Sequence, residues 1–144
     1  MIIPQQKITA CIIDDDNIFT YGFNKLIQRN GLFSRILRFM HGQEAIDFLS
    51  SPANSASLPD VIFVDINMPV MNGWDFLKNY EEIESHLGKK IAVYMMSSSV
   101  DIRDIERAKN NPMLTDYLLK PINNIQIMSV FNALNGNADE EKYN

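Results

Sequence analysis

Residues 61–64, VIFV, form an apolar run with no polar interruption, and the run stops at a single carboxylate, Asp65. A segment of β-branched and aromatic residues without alternation reads as a strand covered on both faces. Beyond it come Pro69, which cannot sit inside a helix, and the turn pair Asn72-Gly73. A helical pattern begins at Trp74. One acid therefore stands at the carboxyl end of a buried strand, where open α/β sheets place their ligands. Taken alone, Asp65 equally suits a turn or a helix cap.

The rest of the chain repeats the arrangement. Residues 7–13, KITACII, are β-prone and end in Asp14, Asp15 and Asp16, with Asp16 or Asn17 the expected cap of the helix that follows. Phe19, Phe23, Leu26 and Ile27 then fall at helical spacing, and Gly31 is a stop signal. Residues 35–40 have the brevity of a second strand, broken by His41-Gly42, and Ala45, Ile46, Phe48 and Leu49 mark a short helix. Residues 50–57, SSPANSAS, are a loop by composition. After Asp65, residues 73–85 form a helix with Phe76, Leu77, Tyr80 and Ile83 inward. Residues 91–96 are a strand ending in Ser97, Ser98 and Ser99. Asp101 is the expected N-cap of a helix carrying Ile102, Ile105 and Ala108. Residues 116–119 are a short strand followed at once by Lys120-Pro121, and residues 122–134 are a final helix carrying Ile125, Ile127, Met128, Phe131 and Leu134.

Strand and helix thus alternate five times, the pattern of a parallel sheet with helices on both faces. In such a sheet all carboxyl ends lie on one edge. Asp14, Asp15, Asp65, Ser97 and Lys120 are far apart in sequence and converge there. Crowded carboxylates repel one another, and a hard divalent cation relieves this. Asp15 and Asp65 are the expected direct ligands of Mg²⁺. Asp14 would act through water, and the main-chain carbonyl of Asn67 would add an oxygen. With the Lys120 ammonium and the Ser97 hydroxyl alongside, Asp65 would be a nucleophile toward a phosphoryl group.

These residues carry a resemblance. The Asp14-Asp15 pair, Asp65-x-x-Met68-Pro69-x-Met71-x-Gly73, Ser97 and Tyr117-x-x-Lys120-Pro121 resemble the receiver domain of two-component response regulators. The resemblance implies a flavodoxin-like doubly wound sheet of five parallel strands, order 2-1-3-4-5, with five flanking helices. It implies that Asp65 accepts phosphate from a histidine kinase or histidine phosphotransfer protein, and that Asp14 and Asp15 serve Mg²⁺. Ser97 would be the switch hydroxyl and Tyr117 the aromatic switch. Lys120 would contact the phosphoryl oxygens, with a cis bond to Pro121. A downstream protein target would dock on the face of helix four, strand five and helix five. Serine at position 97 stands where threonine is also common. Residues 110–115, NNPMLT, lack the Gly-Ala often found before the last strand. Tyr117 also suits a half-buried strand tyrosine.

Rival readings are a haloacid-dehalogenase-like phosphatase and a pseudo-receiver that is never phosphorylated. The first carries a second acid two residues after its nucleophile, where this chain has Asn67. The second lacks a key residue, and none is missing here.

The length of 144 residues suits one domain, with a core over about residues 7–135 and a polar tail over 136–144. The expectation is a stand-alone receiver. The net charge of −5 argues against nucleic acid or an anionic membrane as the main partner. The N-terminus lacks a signal-peptide pattern and no apolar run reaches about 20 residues, so a cytoplasmic location is expected. The lone cysteine, Cys11, falls inside an apolar run and is expected to be inert.

Overall fold

The computed structural model describes the backbone of residues 8–143 and the side chains of residues 8–135. Residues 1–7, Lys7 among them, and the side chains of the expected tail lie outside the described residues. The elements are β1 (Ile8–Ile13), α1 (Asn17–Asn30), β2 (Phe33–Phe39), α2 (Gly42–Ser50), a 3-10 helix (Pro52–Ser57), β3 (Val61–Asp65) and α3 (Gly73–Glu84). They continue with β4 (Ala92–Ser97), α4 (Ile102–Lys109), β5 (Asp116–Leu119) and α5 (Asn124–Tyr143). The strands form one sheet in the order β2-β1-β3-β4-β5, and every pairing is parallel. This is the flavodoxin-like order that the resemblance implies.

Val61, Ile62, Phe63 and Val64 are all fully buried. Their side chains alternate between two cores, as the two-residue period of a strand requires. Ile62 and Val64 join Cys11, Ile13, Val93 and Met95 beneath α2 and α3, against Leu49, Phe76, Leu77 and Tyr80. Val61 and Phe63 join Ala10, Ile12, Tyr94 and Met96 beneath α1 and α5, against Phe23, Ile27, Ile127 and Phe131. Each valine, leucine, isoleucine, phenylalanine or methionine among them contributes about 1.5–3 kcal/mol on burial. Cys11 is fully buried, and burial holds its thiol well above the ordinary range, so it is inert as expected.

Helix ends follow local chemistry. The Asp16 carboxylate accepts from the Ile18 and Phe19 amides and starts α1, and Gly31 ends it in the left-handed region at φ 65°. Asn72 and Asp75 form a reciprocal capping box at the start of α3. Asp101 caps α4 by accepting from the Arg103 amide.

Three expectations are corrected. The serine-rich segment expected to be a loop contains the 3-10 helix, because Pro52 sits at its start, where a missing N–H costs nothing. The last helix runs on to Tyr143, past the expected end at Leu134; no proline interrupts that stretch. Ile102 and Ile125, counted among the apolar residues of their helices, are 69% and 79% exposed. Both lie in the first turn of their helices and point away from the sheet, so α4 fully buries only Ala108.

Val70, in the loop between β3 and α3, has φ 68°. The left-handed region is strained for a β-branched residue, while asparagine tolerates it. The Val70 side chain is fully exposed and loses no packing when replaced. Val70→Asn is expected to stabilise the fold by about 1 kcal/mol. A thermal melt with an unchanged or lower Tm would show that the valine is not strained.

Candidate functional site

The carboxyl edge of the sheet collects the polar strand ends. Asp14, Asp15 and Asp65 bring one carboxylate oxygen each to within 4.8 Å of one another. Asp14 is fully buried, Asp65 is nearly so, and Asp15 is half-buried.

Asp14 is held at several points. Its Oδ1 accepts from the Asp16 amide at 2.9 Å, and its Oδ2 accepts from Lys120 Nζ at 2.7 Å. Its amide donates to the Phe39 carbonyl at 3.0 Å. The Arg38 guanidinium donates to the Asp14 carbonyl from Nε at 3.2 Å and from Nη2 at 3.0 Å, and Nη2 also reaches Asn17 Oδ1 at 2.9 Å. Arg38 thereby stitches the end of β2 to the acidic turn after β1.

Lys120 Nζ lies 3.2 Å from Asp65 Oδ1 as well, so one ammonium bridges two buried carboxylates. Burial pulls the Lys120 ammonium down, but Asp14 and Asp65 together outweigh it and hold the group above the ordinary lysine value. Burial pushes the Asp65 carboxyl up to about 6; the charge of Asp14 adds to this, and Lys120 offsets part of it. The cluster is short of positive charge, and its donor set is entirely hard oxygen. Those properties fit a divalent cation such as Mg²⁺.

Asp65 reaches this place because α3 starts close beneath the end of β3. The Gly73 amide donates to the Ile66 carbonyl at 2.9 Å. A Cβ on Gly73 would lie 2.8 Å from the Asp65 carbonyl oxygen and 2.9 Å from Ile66 Cα. Only glycine permits this approach.

On the other side, Ser97 is fully buried at the end of β4. Its Oγ accepts from the Ser99 amide at 3.0 Å, and its carbonyl accepts from the Lys120 amide at 2.8 Å. Tyr117 is half-buried in β5, and its hydroxyl donates to the Ser99 carbonyl at 3.2 Å. The Lys120–Pro121 bond is cis, as the resemblance implies. Asn67 is exposed in the loop after β3. The fold thus brings Asp14, Asp15, Asp65, Ser97 and Lys120 to one edge, with Tyr117 one step behind Ser97.

Two neighbours were not legible in the sequence. Arg38 falls in an edge-like strand, where an arginine ordinarily faces water. Phe19 has helical spacing and reads as core, yet its ring lies 4.1 Å from Lys120 Nζ. Among the described residues no helix is long and apolar enough to cross a membrane.

Comparison with known proteins agrees with this geometry. A family model described as the response regulator receiver domain matches residues 10–132. Two-component response regulator 24 of Arabidopsis thaliana is 29% identical over 136 residues, covering 92% of this chain and 88% of that protein. A crystal structure of a two-component response regulator from Cytophaga hutchinsonii superposes with a TM-score of 0.84 at 27% identity, covering 91% of this chain and 99% of that one. A response regulator receiver protein from Dyadobacter fermentans has a TM-score of 0.76 at 32% identity, covering 88% and 96%.

Proposed function

The chain belongs to the response regulator receiver family, and from that premise we propose that Asp65 is its phosphoacceptor. The donor would be a histidine kinase or a histidine phosphotransfer protein, the partners that membership of this family implies. The observation that carries the reading is the bridging of Asp14 and Asp65 by Lys120 within a cluster of three carboxylates.

An Asp65 carboxylate oxygen attacks the phosphorus of a phosphohistidine. The new P–O bond forms as the P–N bond breaks, and the electron pair of that bond stays on the imidazole nitrogen, which takes up a proton. The product is an acyl phosphate on Asp65. Asp14, Asp15, Asp65 and the Asn67 carbonyl would hold Mg²⁺, which when bound offsets charge on the carboxylates and on the phosphoryl oxygens. Lys120 gives a fixed positive charge beside the incoming oxygens. Arg38 and the Asp16 amide keep the Asp14 turn in place, and Gly73 keeps α3 from pushing Asp65 aside. Family membership makes this a signalling domain. The phosphatase reading is not favoured, since Asn67 replaces the acid that such an enzyme needs.

The output runs through Ser97. Phosphorylation adds charge and acceptor oxygens near its hydroxyl. Moving toward them takes Ser97 Oγ away from the Ser99 amide, and that loosens the segment to which the Tyr117 hydroxyl is tied. The face of α4, β5 and α5 would then shift in population, not in fold, and offer a changed surface to a downstream protein. Val100, in the loop before α4, and Ile102, the first residue of α4, are both 69% exposed.

Acetyl phosphate with Mg²⁺ is expected to add the mass of one phosphoryl group, read by intact-mass spectrometry. In the same sample, amide shifts are expected to change most between Ser97 and Lys120. An unchanged mass with the protein folded overturns the reading.

A further inference from the structure

Phe19 stands at the site without a role in the phosphoryl transfer proposed for Asp65. Lys120 Nζ lies over its ring, 4.1 Å from the centroid, 2.7 Å from Asp14 Oδ2 and 3.2 Å from Asp65 Oδ1. An ammonium has three N–H donors and no acceptor. Two carboxylates engage it on one side, and the aromatic face closes another. The Lys120 side chain is only 13% exposed, so little water competes for it. A cation over an aromatic face is held by the negative face of the ring, more strongly once desolvated.

The ring is itself fixed. The Phe19 amide donates to Asp16 Oδ1 at 3.0 Å. The ring packs 5.4 Å from Phe23, which meets Phe63 edge-on at 5.1 Å. The aspartate that caps α1 therefore also sets the platform under the lysine.

We infer that Phe19 is a positioning residue for phosphoryl transfer to Asp65, its ring holding the Lys120 ammonium where the phosphoryl oxygens arrive. The inference rests on the phosphoacceptor reading. When Asp65 forms the acyl phosphate, it gives up the anionic oxygen that anchored Lys120. Asp14 and Phe19 keep their hold, so the freed donor turns to a phosphoryl oxygen while the ammonium stays in place. A leucine at position 19 would fill the volume but would offer no negative face.

The test is the single-turnover rate of labelling by acetyl phosphate at saturating Mg²⁺. It compares wild type, Phe19→Leu, Phe19→Tyr and a series with one to three fluorines on the Phe19 ring. Fluorine withdraws electron density from the ring face and changes its shape little. Phe19→Leu is expected to be about fivefold slower, Phe19→Tyr within about twofold of wild type, and the fluorinated series to fall stepwise. The Lys120 ε-methylene resonances should carry the upfield shift of a nearby ring in wild type and lose it in Phe19→Leu. Should Phe19→Leu fail to fold, the fluorinated series decides, because it preserves packing. A labelled wild type with a flat fluorine series overturns this inference alone. An unlabelled, folded wild type overturns the phosphoacceptor reading and this inference with it.

Discussion

Asp65→Asn will keep its unmodified mass after incubation with acetyl phosphate and Mg²⁺, under conditions that label wild type fully. The expected loss in rate is at least about a hundredfold, since the variant lacks the proposed nucleophile. Three carboxylates compete for the assignment, and their surroundings separate them. Asp14 is fully buried, with Oδ1 on the Asp16 amide and Oδ2 on Lys120, so both its oxygens are already engaged. Asp15 is half-buried at the turn, and among the described residues it forms no ion pair with a lysine. Asp65 pairs one oxygen with Lys120 at the edge where the polar strand ends meet. Asp14→Asn and Asp15→Asn should slow labelling without moving its position. Peptide mapping that finds the phosphoryl group on Asp14 or Asp15, or equal labelling of Asp65→Asn, would refute the assignment.

The same substitution should make the metal-free protein more stable at neutral pH. Burial and the Asp14 charge raise the Asp65 carboxyl from 3.8 to about 6 in the folded state. Between those two values the folded protein holds a proton that the unfolded chain has released. The contribution is therefore fully present below about pH 4 and is lost as pH rises through about 6. At pH 7.5, in EDTA, the ionised Asp65 is therefore expected to cost the fold on the order of 3 kcal/mol. Asp65→Asn removes that ionisation, so it should exceed wild type by about 2–3 kcal/mol at pH 7.5, with the difference vanishing near pH 4. Paired denaturant titrations across that range measure it. If Asp65→Asn is the less stable protein at pH 7.5, the attraction of Lys120 exceeds the burial penalty, and the ionised carboxylate stabilises the fold instead.

Both predictions turn on a site whose members the sequence announced and whose internal bonding it did not. Asp65 was legible because an uninterrupted apolar run stops at it, and a carboxylate in the last position of β3 marks where the strand leaves the sheet interior. Its end, and hence its place on the sheet edge, followed from four residues. Ser97 and Lys120 were legible for the same reason at the ends of β4 and β5. Asp16 and Asp101 were legible as caps because a short carboxylate just before a helical run has nearby amides to accept from.

What local pattern missed are contacts made across elements. Ile102 and Ile125 were counted with the apolar residues of their helices, yet they point to solvent, because which side of a first turn meets the sheet depends on how the helix docks. The strain at Val70 follows from a loop forced to turn sharply between β3 and α3. No propensity of valine announces it.

The sequence by itself determined the alternation of five strands and five helices, the parallel sheet, and the set of residues at its carboxyl edge. These follow from hydrophobic period and from where each period breaks, which are properties of neighbours along the chain. The tertiary structure alone decided that Lys120 bridges Asp14 and Asp65, that Arg38 clamps the Asp14 carbonyl, and that Phe19 lies against the lysine. Lys120 and Asp14 are separated by 106 positions. A contact of that span depends on the strand order and on the angle at which α1 lies across the sheet, and neither is encoded in any local stretch of residues.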